Sequence, residues 1–550
     1  MTMRPAFRLK FVLLLLLVCV SCGDTFRPVA TPLIPSPPSP AAFHTVLMLT
    51  RNGPNNRGAS SDIDVSGDSN VAVAPLGLGP AHATLIPNSS RLFVANNLED
   101  TVSSFSPNTT GPVITTSLPP GSMPVYVHTT ENANVYVANF CTNFCTDPSN
   151  PNGTVAAIAT ASDAVVNPLI PVGKQPVALA ETSDGTKLYA VNEGDGTVTS
   201  IHTATLAATT TIATGSAPVW ALARPDAVQV QPLGFRVYVL NSGSGTLSTI
   251  DTATDTKILP DVSVGVGANF MVYDKTRTRL YVVNPNSTSV MVLDASKDPP
   301  ATVNPPIDLT QASAGTASLC ATACHPVSIA VLPNGTRAYV VSYAVASNTI
   351  EWQVSVVNLQ DNTIRTQVPA DPTATLTSID TVNPTGCGAS PFGASPLPFR
   401  MSVVAAADSS KVYIASCDSG MIEAITTFDD TLISSLDGET ILSLPAPPST
   451  FQSPPVNITA ASQNGSIVTY TYTPVTGPVL RVGEFIAVTG MGSCPSSASS
   501  FLSDNGTFTI SALGPGTITV GNSAGCTLSQ QNGTGVPTVA QNPVFLLAGP

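Results

Sequence analysis

A strand–turn–strand unit that keeps returning along the chain constrains its fold more than any other feature. RLFVANNLEDTVSSF begins at Arg91, KLYAVNEGDGTVTSI at Lys187, RVYVLNSGSGTLSTID at Arg236 and RLYVVNPNSTSVMVLD at Arg279. Shorter copies start at Asn134 (NVYVAN), Arg337 (RAYVVS) and Lys411 (KVYIAS). The aromatic anchors Phe93, Tyr136, Tyr189, Tyr238, Tyr281, Tyr339 and Tyr413 are spaced by 43, 53, 49, 43, 58 and 74 residues. A period of that size built from strands rather than helices predicts an all-β propeller with four strands per blade.

Composition agrees. The chain has 39 Gly and 50 Pro in 550 residues and is 43% hydrophobic but only 10% charged, which suits many short strands joined by turns. Net charge is −13 and the few cations are scattered, so no basic stripe exists to neutralise phosphates and nucleic-acid binding is disfavoured.

The innermost strand of each blade follows a Gly-x-x-Pro lead, as at Gly77–Pro80, Gly121–Pro124, Gly173–Pro176 and Gly215–Pro218, with degraded forms at Ala268, Pro326 and Pro398. Proline sets φ just before a strand, where the missing N–H matters least. Gly and Asn in turns such as Asn192–Gly196 tolerate the positive φ of tight hairpins. On these residues the stretch 44–445 resembles the YVTN family of β-propeller repeats of bacterial and archaeal surfaces. The same strand pattern occurs in lactonase-type propellers, so the resemblance implies the fold more firmly than an activity. Seven hairpins are visible. Strands expected at 44–50 and 71–75, with an inner strand from 440–444, would complete an eighth, split closing blade; a seven-bladed ring is the alternative. Pairing the two ends of the array would remove exposed strand edges.

The N-terminus carries Arg4, Arg8 and Lys10, then an apolar run over 11–20, too short to span a bilayer but of signal-peptide length. Cys19-Val20-Ser21-Cys22-Gly23 resembles the lipobox of bacterial lipoproteins, with Cys19 where that family usually has Leu. The resemblance implies removal of 1–21 and a lipid on Cys22 as the membrane attachment; plain secretion is the alternative. Residues 22–43 are Pro-rich and read as a tether. The mature start CGDTFRPVATP also resembles propeller-repeat lipoproteins of acidobacterial soil bacteria. An outer-membrane or cell-surface location is expected, alternatively periplasmic or secreted.

After a Pro-rich linker at 446–455 the period disappears. Strands expected at 467–473, 485–489, 507–512 and 517–520 predict a small β-barrel or Ig-like domain over 456–550.

Ten cysteines are present, and eight remain without Cys19 and Cys22. Exported domains use cysteine for disulfides. Proximity suggests Cys141–Cys145, Cys320–Cys324, Cys387–Cys417 and Cys494–Cys526, although eight cysteines allow about 105 pairings. Cys320-x-x-x-Cys324-His325 is one residue too long for a c-type haem site, so a disulfide is the favoured reading. Asp62, Asp64 and Asp68 around a turn are a weak candidate Ca²⁺ loop that lacks the closing acidic ligand; no other cofactor is expected.

His82 and His128 fall two and four places after their leading prolines, on one face of successive inner strands, and are candidates to face the central channel. Trp220 and Trp352 read as core or as stacking platforms. No nucleophile elbow, phosphate loop or zinc signature appears. The expectation is therefore a monomeric, membrane-tethered binding scaffold for a protein or glycan ligand at the cell envelope, leaning away from an enzyme. The alternative is a propeller hydrolase of the lactonase type, with Arg224, Arg400, His82 and His128 as dispersed candidates.

Overall fold

Strand formers bounded by Gly, Asn and Asp turns fold here into sheet after sheet, all antiparallel. The structure is a computed structural model that describes residues 45–549 apart from 52–56, 87–90, 108–111, 131–132, 142–151, 227–233, 312–323, 347–348, 371–400, 418–420, 434–454, 474–484, 495–503, 524 and 539–542. The expected signal peptide, Cys22 and the tether lie outside the described residues, as do Cys145, Cys320, Cys387 and Arg400. Among the described residues there are eight four-stranded sheets and one closed six-stranded barrel, with a single 3₁₀ turn at Glu193–Asp195. No described helix is long and apolar enough to cross a membrane.

The third sheet shows the pattern. Pro176–Glu181 pairs with Lys187–Asn192, which pairs with Thr197–His202, which pairs with the outer strand Ala207–Ala213. Burial falls from inside to outside: the inner strand is wholly buried, the outer strand mostly exposed. Leu188, Tyr189, Ala190 and Val191 are each fully buried, so both faces of the second strand pack against neighbouring sheets. Fully burying one such side chain contributes roughly 1.5–3 kcal/mol, which makes the sheet interfaces the main source of stability.

In chain order the inner strands are Pro80–Leu85, Pro124–His128, Pro176–Glu181, Pro218–Ala223, Phe270–Asp274, His325–Val331 and Met401–Ala405. Each packs beside the next. The eighth sheet is built from Thr45–Thr50, Arg57–Asp64 and Ser69–Leu78, with Pro543–Ala548 as its inner strand. Pro543–Ala548 packs against both Met401–Ala405 and Pro80–Leu85, so the series closes on itself. This all-β arrangement is consistent with a β-propeller.

The sheet with strands from both ends was expected, but its inner strand was not. The expected donor, 440–444, lies outside the described residues, and its place is taken by Pro543–Ala548. The boundaries expected for the last domain change accordingly. The barrel runs over Val456–Asn464, Ile467–Thr473, Phe485–Thr489, Gly506–Gly514, Thr517–Gly521 and Gly533–Thr538, after which the chain returns to the sheets. The barrel is thus inserted between the seventh sheet and the closing strand.

The aromatic anchors occupy matching places. Phe93, Tyr136, Tyr189, Tyr238, Tyr281, Tyr339 and Tyr413 all lie in the second strand of their sheets and are nearly or fully buried. Leu47 holds that register in the closing sheet. Two residues before the anchor stands a cation in most copies, and it reaches the next sheet. Lys187 Nζ donates to Asp255 Oδ2 at 2.8 Å, and Tyr189 Oη donates to Asp255 Oδ1 at 2.6 Å. Arg91 holds Asp163, Arg236 holds Asp298, Arg337 with Tyr339 holds Asp430, and Lys411 with Tyr413 holds Asp68. Asp68, Asp163, Asp255 and Asp430 all have left-handed backbones, with φ between 50° and 61°. Asp and Asn tolerate that region better than other non-glycine residues, which suits Asp to these turns.

At the far end of the second strand a buried Asn ties the hairpin together. Asn96, Asn192 and Asn241 each donate from Nδ2 to two hydroxyls of the third strand at 2.9–3.1 Å. The recurrent Tyr and Asn of the repeat therefore do different work, one between sheets and one within a sheet.

Candidate functional site

The inner strands carry the candidate site at one register position. A bulge follows the leading proline in five of these strands and recurs at Pro543 in the closing sheet, skipping one residue of the inner strand each time. Bulges re-aim the side chains that follow them. The residue next in register is His82 in the first sheet, Tyr126 in the second, Ala178 in the third and Trp220 in the fourth. Phe270, Ser328, Ser402 and Phe545 hold the same place in the remaining sheets. Every one of the eight pairs with the residue two places after the anchor of its second strand.

Five of these residues are ring-bearing, and they touch in sequence around the series. Phe545 lies 4.5 Å from His82 between ring centroids, and His82 stacks on Tyr126 at 3.8 Å with an interplanar angle of 20°. Tyr126 meets Trp220 edge-on at 5.9 Å, and Trp220 meets Phe270 at 4.9 Å. Tyr126 and Trp220 belong to the second and fourth sheets, so they meet over Ala178 of the third. That contact requires both rings to project toward the axis that the inner strands enclose. The result is a collar with rings in five of its eight places and the small side chains Ala178, Ser328 and Ser402 in the other three. Trp220, Phe270 and Phe545 are half-buried, whereas His82 and Tyr126 are nearly covered. The Ser402 hydroxyl is buried and has no hydrogen-bond partner among the described residues.

His128 lies one row deeper, paired with its sheet's own anchor, Tyr136, and its ring is 6.4 Å from Tyr126. The two candidate channel histidines therefore flank Tyr126 at different depths. Desolvation pushes the His128 pKa down to about 4, so the imidazole is neutral at pH 7, and burial raises the Tyr126 phenol. The collar row contains no Lys, Arg, Asp or Glu.

Other sequence candidates lie elsewhere. Arg224 follows the inner strand of the fourth sheet, where Nη1 donates to Ala295 O and Nη2 to Asp226 Oδ2, both at 2.8 Å. Trp352 belongs to a separate stack with Tyr343, which in turn stacks on His325 at 4.8 Å. Asp68 is engaged by Lys411 and Tyr413, Asp64 accepts from Ser66 N and Oγ within its turn, and Asp62 is buried on its strand. Among the described residues the three groups of metal-ligand type that converge are Cys494, Asp504 and Cys526. Those two cysteines form a disulfide, as expected. Cys141, Cys324 and Cys417 are also disulfide-bonded. That removes the Cys324 thiol from the haem alternative, and His325 Nδ1 lies 2.7 Å from Pro285 O.

Tyr126, Phe270 and Phe545 were not foreseen as site residues. A signal for two of them was available: Pro124-Val-Tyr126, Pro218-Val-Trp220 and Pro543-Val-Phe545 repeat one tripeptide.

No family model and no curated protein matches the chain. Solved β-propeller structures do. Dihydro-heme d1 dehydrogenase NirN in complex with DHE superposes with a TM-score of 0.50 at 9% identity, over 71% of this chain and 72% of that one. The periplasmic gluconolactonase PpgL of Pseudomonas aeruginosa gives 0.41 at 15% identity, over 60% and 98%. Hydrazine synthase of Kuenenia stuttgartiensis gives 0.40 at 17%, over 64% and 96%. At these identities the likeness is one of fold, and it is to β-propellers that this chain is similar.

Proposed function

We propose that this chain is an exported, lipid-anchored eight-bladed propeller of the YVTN type that binds a ligand at the cell envelope. The observation that carries the binding reading is the collar: five rings in contact along six consecutive sheets, three of them half-buried. Aromatic faces that remain partly open on a rigid ring are a recognition surface. Eight sheets, closed by Pro543–Ala548, support the blade number. The signal-like leader and Cys22 support the lipid anchor.

A hydrolase of the lactonase type is the second reading, and His128 favours it. A histidine kept neutral at pH 7 has a lone pair available as a general base. Its ring contact is with Tyr126.

Two experiments test this. Glycan-array and cell-surface pull-down binding by the full-length protein is expected, alongside no turnover of sugar lactones; turnover lost in His128→Asn would overturn the binding reading. Metabolic labelling with a palmitate analogue is expected to mark the protein and to be lost in Cys22→Ser, with unlabelled protein contradicting the anchor.

A further inference from the structure

We infer that the barrel, once its Cys494–Cys526 disulfide is reduced, binds a thiophilic divalent cation of the Zn²⁺ class through Cys494, Cys526 and Asp504. Strand pairing brings the three residues to one end of the barrel. Cys494 follows the strand Phe485–Thr489, Asp504 precedes Gly506–Gly514 and Cys526 follows Thr517–Gly521. Val488 pairs with Gly506 and Ile510 with Val520, so these three strand ends lie together. The two sulfurs and one carboxylate oxygen all lie within 4.8 Å of one another.

Asp504 is the member that a plain staple does not explain. Its side chain is fully buried, and its oxygens accept from Cys526 N at 3.1 and 3.3 Å. Oδ2 lies 3.2 Å from Cys526 Sγ and 4.0 Å from Cys494 Sγ. A disulfide sulfur carries no proton to donate, so the oxygen faces sulfur lone pairs. Burial pushes the carboxyl pKa up, opposed by the Cys526 N–H and not by any described cation. Burying an anion without a counter-ion is costly. The placement is also sterically fixed: a Cβ on Gly525 would stand 2.6 Å from Asp504 Oδ1 and 2.3 Å from Val468 Cγ2.

A cation between the oxygen and the sulfurs supplies the missing charge. Tetrahedral zinc holds thiolate sulfur at about 2.3 Å and carboxylate oxygen at about 2.1 Å, which sets the two about 3.6 Å apart. The present oxygen–sulfur distances, 3.2 and 4.0 Å, bracket that value. Only the sulfurs must separate. Reduction by an external dithiol delivers two electrons and two protons, leaving two thiols and the cyclic disulfide of the reductant. Binding then releases both thiol protons to solvent, while Asp504 binds as the carboxylate. Three protein ligands leave the fourth tetrahedral position to water.

The full-length protein is reduced anaerobically with dithiothreitol, desalted and titrated with Zn²⁺ against a chromophoric chelator. Reduced wild type is expected to take up one further equivalent compared with reduced Cys494→Ser/Cys526→Ser, and oxidised wild type is expected to lack it. Asp504→Asn should weaken that site at least about tenfold, the cost of losing even an indirect partner of a metal ligand. Thermal melts confirm that each variant folds. Zn²⁺ should also protect Cys494 and Cys526 of reduced wild type from alkylation, read by peptide mapping, a measurement that needs no variant. Equal uptake by wild type and the double serine variant, equal affinity in Asp504→Asn, or unprotected Cys494 and Cys526 overturns the proposal. Uptake of the same equivalent by the oxidised protein overturns it as well.

Discussion

Lys411 and Asp68, 343 residues apart in the chain, form an ion pair at 2.5 Å between the seventh sheet and the closing sheet. Tyr413 donates to the other carboxylate oxygen at 2.6 Å, and Lys411 also reaches Val65 O at 2.7 Å. The same clasp that joins neighbouring sheets elsewhere thus also joins the start of the series to its end.

Breaking this clasp should loosen the closure. Asp68→Asn keeps a residue that tolerates the left-handed backbone but removes the charge, with both side chains mostly covered. A loss of about 2–3 kcal/mol is expected, below the range for a fully buried pair. Urea denaturation followed by intrinsic fluorescence reads it. A loss within error of zero would make the pair ornamental.

The junction between the fifth and sixth sheets lacks the clasp and should accept it. Asn362, with φ 59°, stands where four other turns have Asp, and the Tyr281 hydroxyl of the preceding sheet is buried beside Arg279. Asn362→Asp adds a carboxylate opposite Arg279 and Tyr281. A gain of about 0.5–1 kcal/mol is expected, since the carboxylate would add charge-assisted bonds to a cation and a phenol already side by side. An unchanged or lower melting temperature would contradict it.

His128 makes stability depend on acid. Its pKa falls from 6.5 to about 4 on folding, so the unfolded chain binds the proton more readily. Stability is therefore full above about pH 6.5 and is lost as pH drops toward 4, by up to about 3 kcal/mol. His128→Asn should flatten that part of the pH–stability curve. An NMR titration placing the wild-type imidazole near 6.5 would remove the effect.

The barrel holds its own staple. Cys494 and Cys526 are separated by 32 residues, and closing a loop of that size contributes about 3–4 kcal/mol in the chain-entropy view. Cys494→Ser with Cys526→Ser should lower a barrel transition in calorimetry and leave the sheets' transition in place. A single merged transition shifted as a whole would mean that the two unfold together.

The repeat was legible because one strand pattern carries Tyr, Asn and turn glycines at fixed offsets, each tied to a contact that its own blade or the next supplies. The partners of the Tyr–cation pair were harder to see. Asp255 and Asp430 lie in turns of the following sheet, and nothing local in either turn names Lys187 or Arg337 as its mate. The closing strand escaped for a different reason. A whole barrel, Val456–Thr538, stands between the array and Pro543, so a reader following the period stops at the linker. The Pro-Val-aromatic tripeptide at Pro543 carried the information without a neighbouring Tyr hairpin to mark it. His82 and His128 were placed on the correct strands and face, but not with Tyr126 between them, because stacking across sheets depends on bulges that shift each inner strand.

The account depends on the chain's last strand lying beside its first, which is what sets Phe545 next to His82. Leu47 and Leu547 face each other in that pairing. Antiparallel partners stand about 4.5–5.5 Å apart at Cα, within reach of a disulfide. In Leu47→Cys with Leu547→Cys, mild oxidation followed by proteolysis and mass spectrometry should yield one peptide linking residue 47 to residue 547. Efficient cross-linking is the predicted result; its absence in folded protein, with both new thiols free to alkylate, would contradict the closed ring.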